Sequence, residues 1–148
     1  MNPTIDQFQL VKVKLQKNNG VLIQWEQTAD GATTSHGQTS PDWPHFNFYA
    51  ALKAFKTPLQ IVVGLTNPSR LSVTGITLKG ETLLISGSIE TEAEIPLAIH
   101  THRIKISDGI YGFESGLEYD LKTLTSEAYA YLFQNKRAEI EPLEYETT

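Results

Sequence analysis

Residues 115–137 constrain the fold more than any other stretch of the chain. Ser115 stands three residues before Glu118, the spacing of a helix capping box. Leu117, Leu121, Leu124, Ala128 and Leu132 then recur at intervals of four, three, four and four. That spacing gathers them on one face of a 3.6-residue helix. Glu118, Lys122 and Glu127 fall on other faces and suit water. Lys136 and Arg137 close the segment, where cations complement the helix dipole. One amphipathic helix cannot hide its stripe alone, so the strands that precede it must supply a second layer.

Those strands are legible upstream. Phe8 and Leu10 share one phase, while Val11, Val13 and Leu15 share the other, which predicts a β-bulge near Leu10 and Val11. Asn18-Asn19-Gly20 is a hairpin signal. Val21, Ile23 and Trp25 alternate with Gln24 and Glu26 as the returning strand. Residues 28–39 are polar and small, with no apolar period, and read as a loop or a frayed extension of the hairpin.

Ser40-Pro41 carries the signature of a helix start, a cap residue followed by proline, with Asp42 in the first turn. Phe48, Leu52, Phe55 and Leu59 form its stripe. Thr57-Pro58 interrupts it, and Thr57 with Gln60 repeats the capping-box spacing, so a second short helix is expected after a bend. Its end, residues 59–65, also suits a strand, because Ile61-Val62-Val63 is β-branched. Asn67-Pro68-Ser69 turns the chain.

Residues 71–79 form a strand whose apolar phase flips at Gly75, which predicts a bulge or a close backbone approach there. Lys79-Gly80-Glu81 turns into Leu83, Ile85, Gly87 and Ile89. Residues 95–106 form a further strand, broken or re-phased in its middle, and Asp108-Gly109 leads to the long helix. The reading is therefore α+β: an antiparallel sheet of about five strands with two helices, in the order β-β-α-β-β-β-α, covered on one face. Residues 1–137 make a single domain. Residues 138–148, with Glu139, Glu141, Glu144, Glu146 and Pro142, are expected to be a disordered acidic tail.

Charge narrows the function. The net charge is −5. Residues 1–70 carry six Lys or Arg against four Asp or Glu, whereas residues 113–148 carry three against eight. Phosphate-backbone binding needs a concentrated basic surface, which the chain as a whole lacks; a local patch is open only to its first half, against the plainer reading of a solvated surface of mixed charge. The chain has no cysteine, which excludes disulfides and thiolate zinc sites. The first residues lack the basic start and apolar run of a signal peptide. No stretch reaches the roughly 20 apolar residues of a membrane span.

The densest polar cluster is His100-Thr101-His102-Arg103-Ile104-Lys105. In a regular strand His100 and His102 share one face, and Arg103 and Lys105 the other. Two histidines so placed can ligate one metal ion but need a third ligand from elsewhere; no metal or cofactor is expected. Arg103 can hold a phosphate in bidentate fashion, and Lys105 adds a point charge. Lys12 and Lys14 alternate in the same way, and if the two strands were neighbours the four cations would form one patch. Trp43 and Phe46 lie near a helix start outside its stripe, and Trp43 is a candidate for stacking on a base. No nucleophile elbow, phosphate-cradling glycine loop or HExxH motif occurs, so no catalysis is expected.

Two segments carry a resemblance. Val73-Thr74-Gly75-Ile76-Thr77-Leu78-Lys79-Gly80-Glu81 with residues 83–87 is one. Tyr111-Gly112-Phe113-Glu114, running through Tyr131-Leu132-Phe133 to Lys136-Arg137-Ala138, is the other. Together they resemble small, uncharacterised phage early or accessory proteins, over roughly residues 70–138. The resemblance implies a phage product acting in the cytoplasm of a host cell. With the scattered strand cations it leads to the expectation of an oligomeric binder that sequesters a small anionic ligand, such as a nucleotide signal of host defence. The alternative is a single-stranded-DNA-binding or replication-associated protein. The expected ligand contacts are Arg103, Lys105, His100, His102, Lys12, Lys14 and Trp43.

Overall fold

A computed structural model describes residues 2–16, 20–65, 70–91, 95–106 and 114–137. A 3-10 turn, Ile5–Gln7, leads into β1 (Phe8–Leu15), followed by β2 (Val21–Ala29) and β3 (Ala32–Ser40). Two short helices come next, α1 (Phe46–Lys53) and α2 (Lys56–Val63), then β4 (Leu71–Lys79), β5 (Thr82–Glu90), β6 (Pro96–His100), β7 (Ile104–Lys105) and the long helix α3 (Glu114–Phe133). The strands form one antiparallel sheet in the order β3-β2-β1-β4-β5-β6, with β7 also pairing β5. The class is α+β, as the sequence implies, but the sheet has seven strands rather than about five.

The strand missed in the sequence is β3. Asp30 and Gly31 both take positive φ, 53° and 77°, which makes the two-residue turn that matches strand twist. The chain then runs back along β2 from the Ala29–Ala32 pair to the Val21–Ser40 pair. Every β3 residue except Ser40 is exposed, so no apolar alternation marks it.

Both predicted irregularities are present. The β1–β2 register slips between Leu10 and Lys12, leaving Val11 as the extra residue. The β4–β5 register slips between Val73 and Gly75. At Gly75 the β1 backbone comes so close that a Cβ would collide with the Val13 carbonyl oxygen. The residues 95–106 strand is broken as expected: β6 and β7 flank three irregular residues, 101–103.

Among the described residues, α1, α2 and α3 cover one face of the sheet. Val13, Ile23, Ile76, Leu83 and Ile85 from the sheet meet Phe48, Leu52, Phe55, Leu59, Leu117 and Leu124 in one core. Helix α3 turns two rows inward. Leu117, Leu124, Ala128 and Tyr131 are buried, while Leu121, Tyr129 and Phe133 pack at the margin of the core. Phe8, Trp25, Tyr129 and Phe133 form an aromatic cluster with ring centroids 5.2–6.0 Å apart.

Three local expectations are corrected. Ser40 does not cap a helix: it ends β3, and its hydroxyl accepts from the Asp42 amide at 3.2 Å. The cap of α1 is His45, whose Nδ1 accepts from the Asn47 amide at 3.1 Å. Residues 59–63 are helical, and α2 begins at Lys56, ahead of the expected Thr57 cap, ending at Gly64 in the left-handed region. Helix α3 stops at Phe133 rather than Arg137; Asn135 takes φ 53° and the Lys136 amide turns back to the Ala130 carbonyl at 3.1 Å. The Ser115 cap, the turns at Asn18-Asn19, residues 66–69 and residues 108–109, and the acidic tail lie outside the described residues and side chains. No helix among the described residues is long and apolar enough to cross a membrane.

Candidate functional site

The predicted cations do not make one cluster of neighbours. Strands β4 and β5 lie between β1 and the β6/β7 edge. Lys12 pairs with Thr77 and Lys14 with Gly75, while His100 pairs with Ser86 and Lys105 with Thr82. In each pair the residues share a face. The chain neighbours that alternate with these rows, Val13, Ile76, Ile85 and Ile104, point to the core, so all four basic residues belong to the open face opposite the helices. Lys79, which pairs with Thr82, joins them. Between them lie Gly75, Thr77, Thr82 and Ser86, with Leu84 the one large apolar side chain among them.

The histidine–arginine run departs from a regular strand. Ser86 faces His100, but Leu83 faces Ile104, a slip of one residue. Thr101 causes it. Its side chain is buried, its amide donates to the Ile85 carbonyl at 2.9 Å, and its Oγ1 accepts from the Ile85 amide at 3.0 Å. The hydroxyl thus stands in for a ladder acceptor. Arg103 therefore sits in the break, exposed, and does not share a strand face with Lys105. His100 and His102 are exposed on either side of the buried Thr101. Among the described residues no group of three ligating side chains is gathered for a metal. Trp43 is half-buried in the segment between β3 and α1.

A different site emerges from the sheet's centre. The β1–β4 ladder spans only Lys12–Lys14 against Gly75–Thr77. On either side of it the strands part, and a cleft opens at each end. The cleft at the Phe8 end, about 440 Å³, has Lys79 and Glu26 in its lining, so its charges offset. The cleft at the Leu15 end, about 470 Å³, is roofed by the α1–α2 bend. Its apolar lining is Leu15, Leu52, Leu71 and Val73; its polar lining is Tyr49, Lys53, Lys56 and Ser72.

The second cleft is built from carboxylate-free chain. Residues 7–25 and residues 43–80 contain no Asp or Glu, although the protein carries seventeen. Leu15 comes from the first of these stretches and every other lining residue from the second. Arg70 immediately precedes the lining residue Leu71. Lys53 ends α1 and Lys56 begins α2, so the bend holds both at one rim. The Tyr49 hydroxyl is held protonated: burial, and then the nearby Tyr131, push its pKa above 10.0. A neutral phenol donates a hydrogen bond to an anion. Two ammonium groups, a phenol and an apolar floor suit a ligand with an anionic end and a flat apolar body. The sequence signal that marks this site is the missing acidic residues, which helix and strand patterning does not weigh.

Comparison with known protein families, with curated proteins and with solved structures finds no match.

Proposed function

We propose that the chain is a non-catalytic binder of a small anionic ligand, of nucleotide type, taken up at the Lys53–Lys56 cleft. The observation that carries this reading is the carboxylate-free lining of that cleft in a protein of net charge −5. Phosphate would meet the two lysines and Tyr49, and a base would lie against Leu15, Leu52 and Leu71. The phage resemblance adds the context: an oligomeric accessory protein that sequesters a nucleotide signal of host defence inside the host cell.

Single-stranded DNA is the second reading. It is favoured by Lys12, Lys14, Lys79, Lys105 and His100 on one open sheet face, with Arg103 beside it. Against it stands the composition of that face: among the described residues it presents no Phe, Tyr or Trp, and single-strand binders stack bases on aromatic rings.

Calorimetric titration with AMP, a cyclic dinucleotide and inorganic phosphate tests the first reading. A charge-assisted hydrogen bond is worth about 1.5–3 kcal/mol, so Lys53→Ala with Lys56→Ala should weaken nucleotide binding roughly ten- to a hundredfold. The pair Arg103→Ala and Lys105→Ala tests the open face in the same titration. Steeply salt-dependent binding of an oligonucleotide, lost in the second pair and kept in the first, would replace the nucleotide reading with the DNA one.

A further inference from the structure

We infer that the outer edge of β3 is the interface that joins two copies of this chain, by antiparallel pairing of β3 with β3 of the second copy about a two-fold axis at His36. This specifies the oligomer of the proposed function. It does not depend on the ligand: loss of nucleotide binding leaves it standing, and its own failure leaves nucleotide binding standing.

The first ground is an edge without guards. Natural edge strands carry Pro, Lys, bulges or breaks that discourage pairing, or they are very short. The opposite edge of this sheet has such guards: β6 begins with Pro96, irregular residues 101–103 follow it, and β7 has two residues. Strand β3 has none of them. Ala32–Ser40 contains no Lys, Arg, Asp, Glu or Pro, runs nine residues in unbroken register against β2, and among the described residues pairs nothing on its other side.

The second ground is the phase of its backbone. In a two-residue hairpin the pair flanking the turn exchanges both hydrogen bonds, and the alternation continues along the ladder. Ala29–Ala32 is that pair here. Residues 32, 34, 36, 38 and 40 therefore point their amides and carbonyls at β2. Thr33, Ser35, Gly37 and Thr39 point theirs outward. The β1 side agrees: the Gln16 amide donates to the Gly20 carbonyl at 2.9 Å, so the even residues of β2 face β1 and its odd residues face β3.

The outward residues are symmetric about His36. A two-fold there sets Thr33 opposite Thr39 of the second copy, and Ser35 opposite its Gly37. Each is then a hydrogen-bonded pair, and roughly eight new backbone bonds leave none of the four outward positions unpaired. Threonine opposite threonine is a favourable cross-strand pair. No like charges of Lys, Arg, Asp or Glu come opposite one another, although the two copies are each acidic. A second copy thus satisfies the whole edge in a single register.

Sedimentation of the full chain, with hydrogen exchange at the four outward amides, tests this. The wild type should sediment at twice the chain mass, with Thr33, Ser35, Gly37 and Thr39 protected. Ser35→Pro removes an amide that the protomer itself does not use, so it should give a folded monomer. Should that variant fail to fold, Thr33→Lys with Thr39→Lys decides: lysine opposite lysine should give a monomer, and Thr33→Glu with Thr39→Lys should restore the dimer. A wild type that is monomeric at tens of micromolar would overturn the proposal. So would a dimer that survives the lysine pair, or protection of the four amides in a monomer, which would mean that another segment covers the edge.

Discussion

The guanidinium of Arg137 lies over the ring of Tyr131, with Cζ 4.0 Å from the ring centroid. The same group donates through Nε and Nη2 to the Tyr131 carbonyl, at 3.2 and 3.0 Å, and through Nη1 to the Asp42 carboxylate. Tyr131 in turn donates its hydroxyl to the Asp42 carbonyl at 2.5 Å. One arginine therefore ties the end of α3 to the chain between β3 and α1, where Pro44 and Arg137 also form a β-bridge. Stacking on a tyrosine contributes about 0.5–2 kcal/mol, and a hydrogen bond to a charged group about 1.5–3 kcal/mol. Arg137→Ala should lower stability by roughly 2–4 kcal/mol. Arg137→Lys should recover less than half, since an ammonium lacks the planar fork. Chemical denaturation midpoints of the two variants check both statements.

Leu124 is fully buried at the centre of α3, between the sheet and α1. Leu124→Ala removes its contacts and leaves a cavity, so the expected cost is roughly 2–5 kcal/mol. Leu132, about two turns further along the same stripe, is only partly buried. Leu132→Ala should cost clearly less in the same urea titration. Equal losses would mean that the two leucines share one environment.

How far the chain could be read from its sequence follows from which signals burial leaves. Leu117, Leu124 and Ala128 are spaced for a buried helix face and are buried. The re-phasing at Val11 and at Gly75 is visible because one extra residue moves every later apolar side chain to the other face. Strand β3 left no such trace, since neither of its faces is covered and its residues need not alternate. Asp30-Gly31 was its one local signature, standing inside a polar run that also reads as loop. Lys12, Lys14, His100 and Lys105 stand out by type, but regular alternation sets His100 and Lys105 on opposite faces until the slip at Thr101 brings them to one. The separation of the two pairs by β4 and β5 is a matter of strand order, which periodicity does not encode. Thr101 was hidden for a similar reason: its hydroxyl replaces a backbone partner only in the tertiary fold. Lys53 and Lys56 are ordinary helix residues until the bend brings them to one rim.

Gly75 and Gly116 should respond to alanine with opposite signs. At Gly75 the new methyl meets backbone, the Val13 carbonyl and the Lys14 Cα, which cannot swing aside as a side chain can. The β1–β4 ladder is short, so a displacement there weakens the one direct pairing among the described residues between the two halves of the sheet. Gly75→Ala should cost about 1–3 kcal/mol, the range for overpacking. Gly116 lies on the exposed side of α3 with nothing within 4 Å of its Cβ position. Gly116→Ala should gain roughly 0.5–1 kcal/mol from helix propensity. Thermal melts of the two variants, run side by side, give both signs.

Alkali should destabilise the fold in a way traceable to two tyrosines. Burial, reinforced at Tyr49 by the nearby Tyr131, raises the pKa of Tyr49 above 10.0. Tyr131 is raised as well, by burial first and then by Asp42, against the lowering influence of Ser40 and Arg137. As pH climbs, the unfolded chain therefore releases these protons before the folded chain does. The folded state holds more protons, so stability falls with pH once it passes the ordinary tyrosine value of about 10. Below that value both phenols are protonated in either state and contribute no slope. Melting temperature should fall between about pH 9.5 and 11.5, and Tyr49→Phe should make the fall shallower without altering the profile near neutrality. Tyr131→Phe also loses the bond to the Asp42 carbonyl, so it should start from a lower melting temperature and then fall less steeply. Ultraviolet titration of the chain's six tyrosines provides the direct reading: Tyr49→Phe and Tyr131→Phe should each remove a late-ionising component. A single ordinary titration of all six, complete before the melting temperature begins to fall, would contradict the assignment.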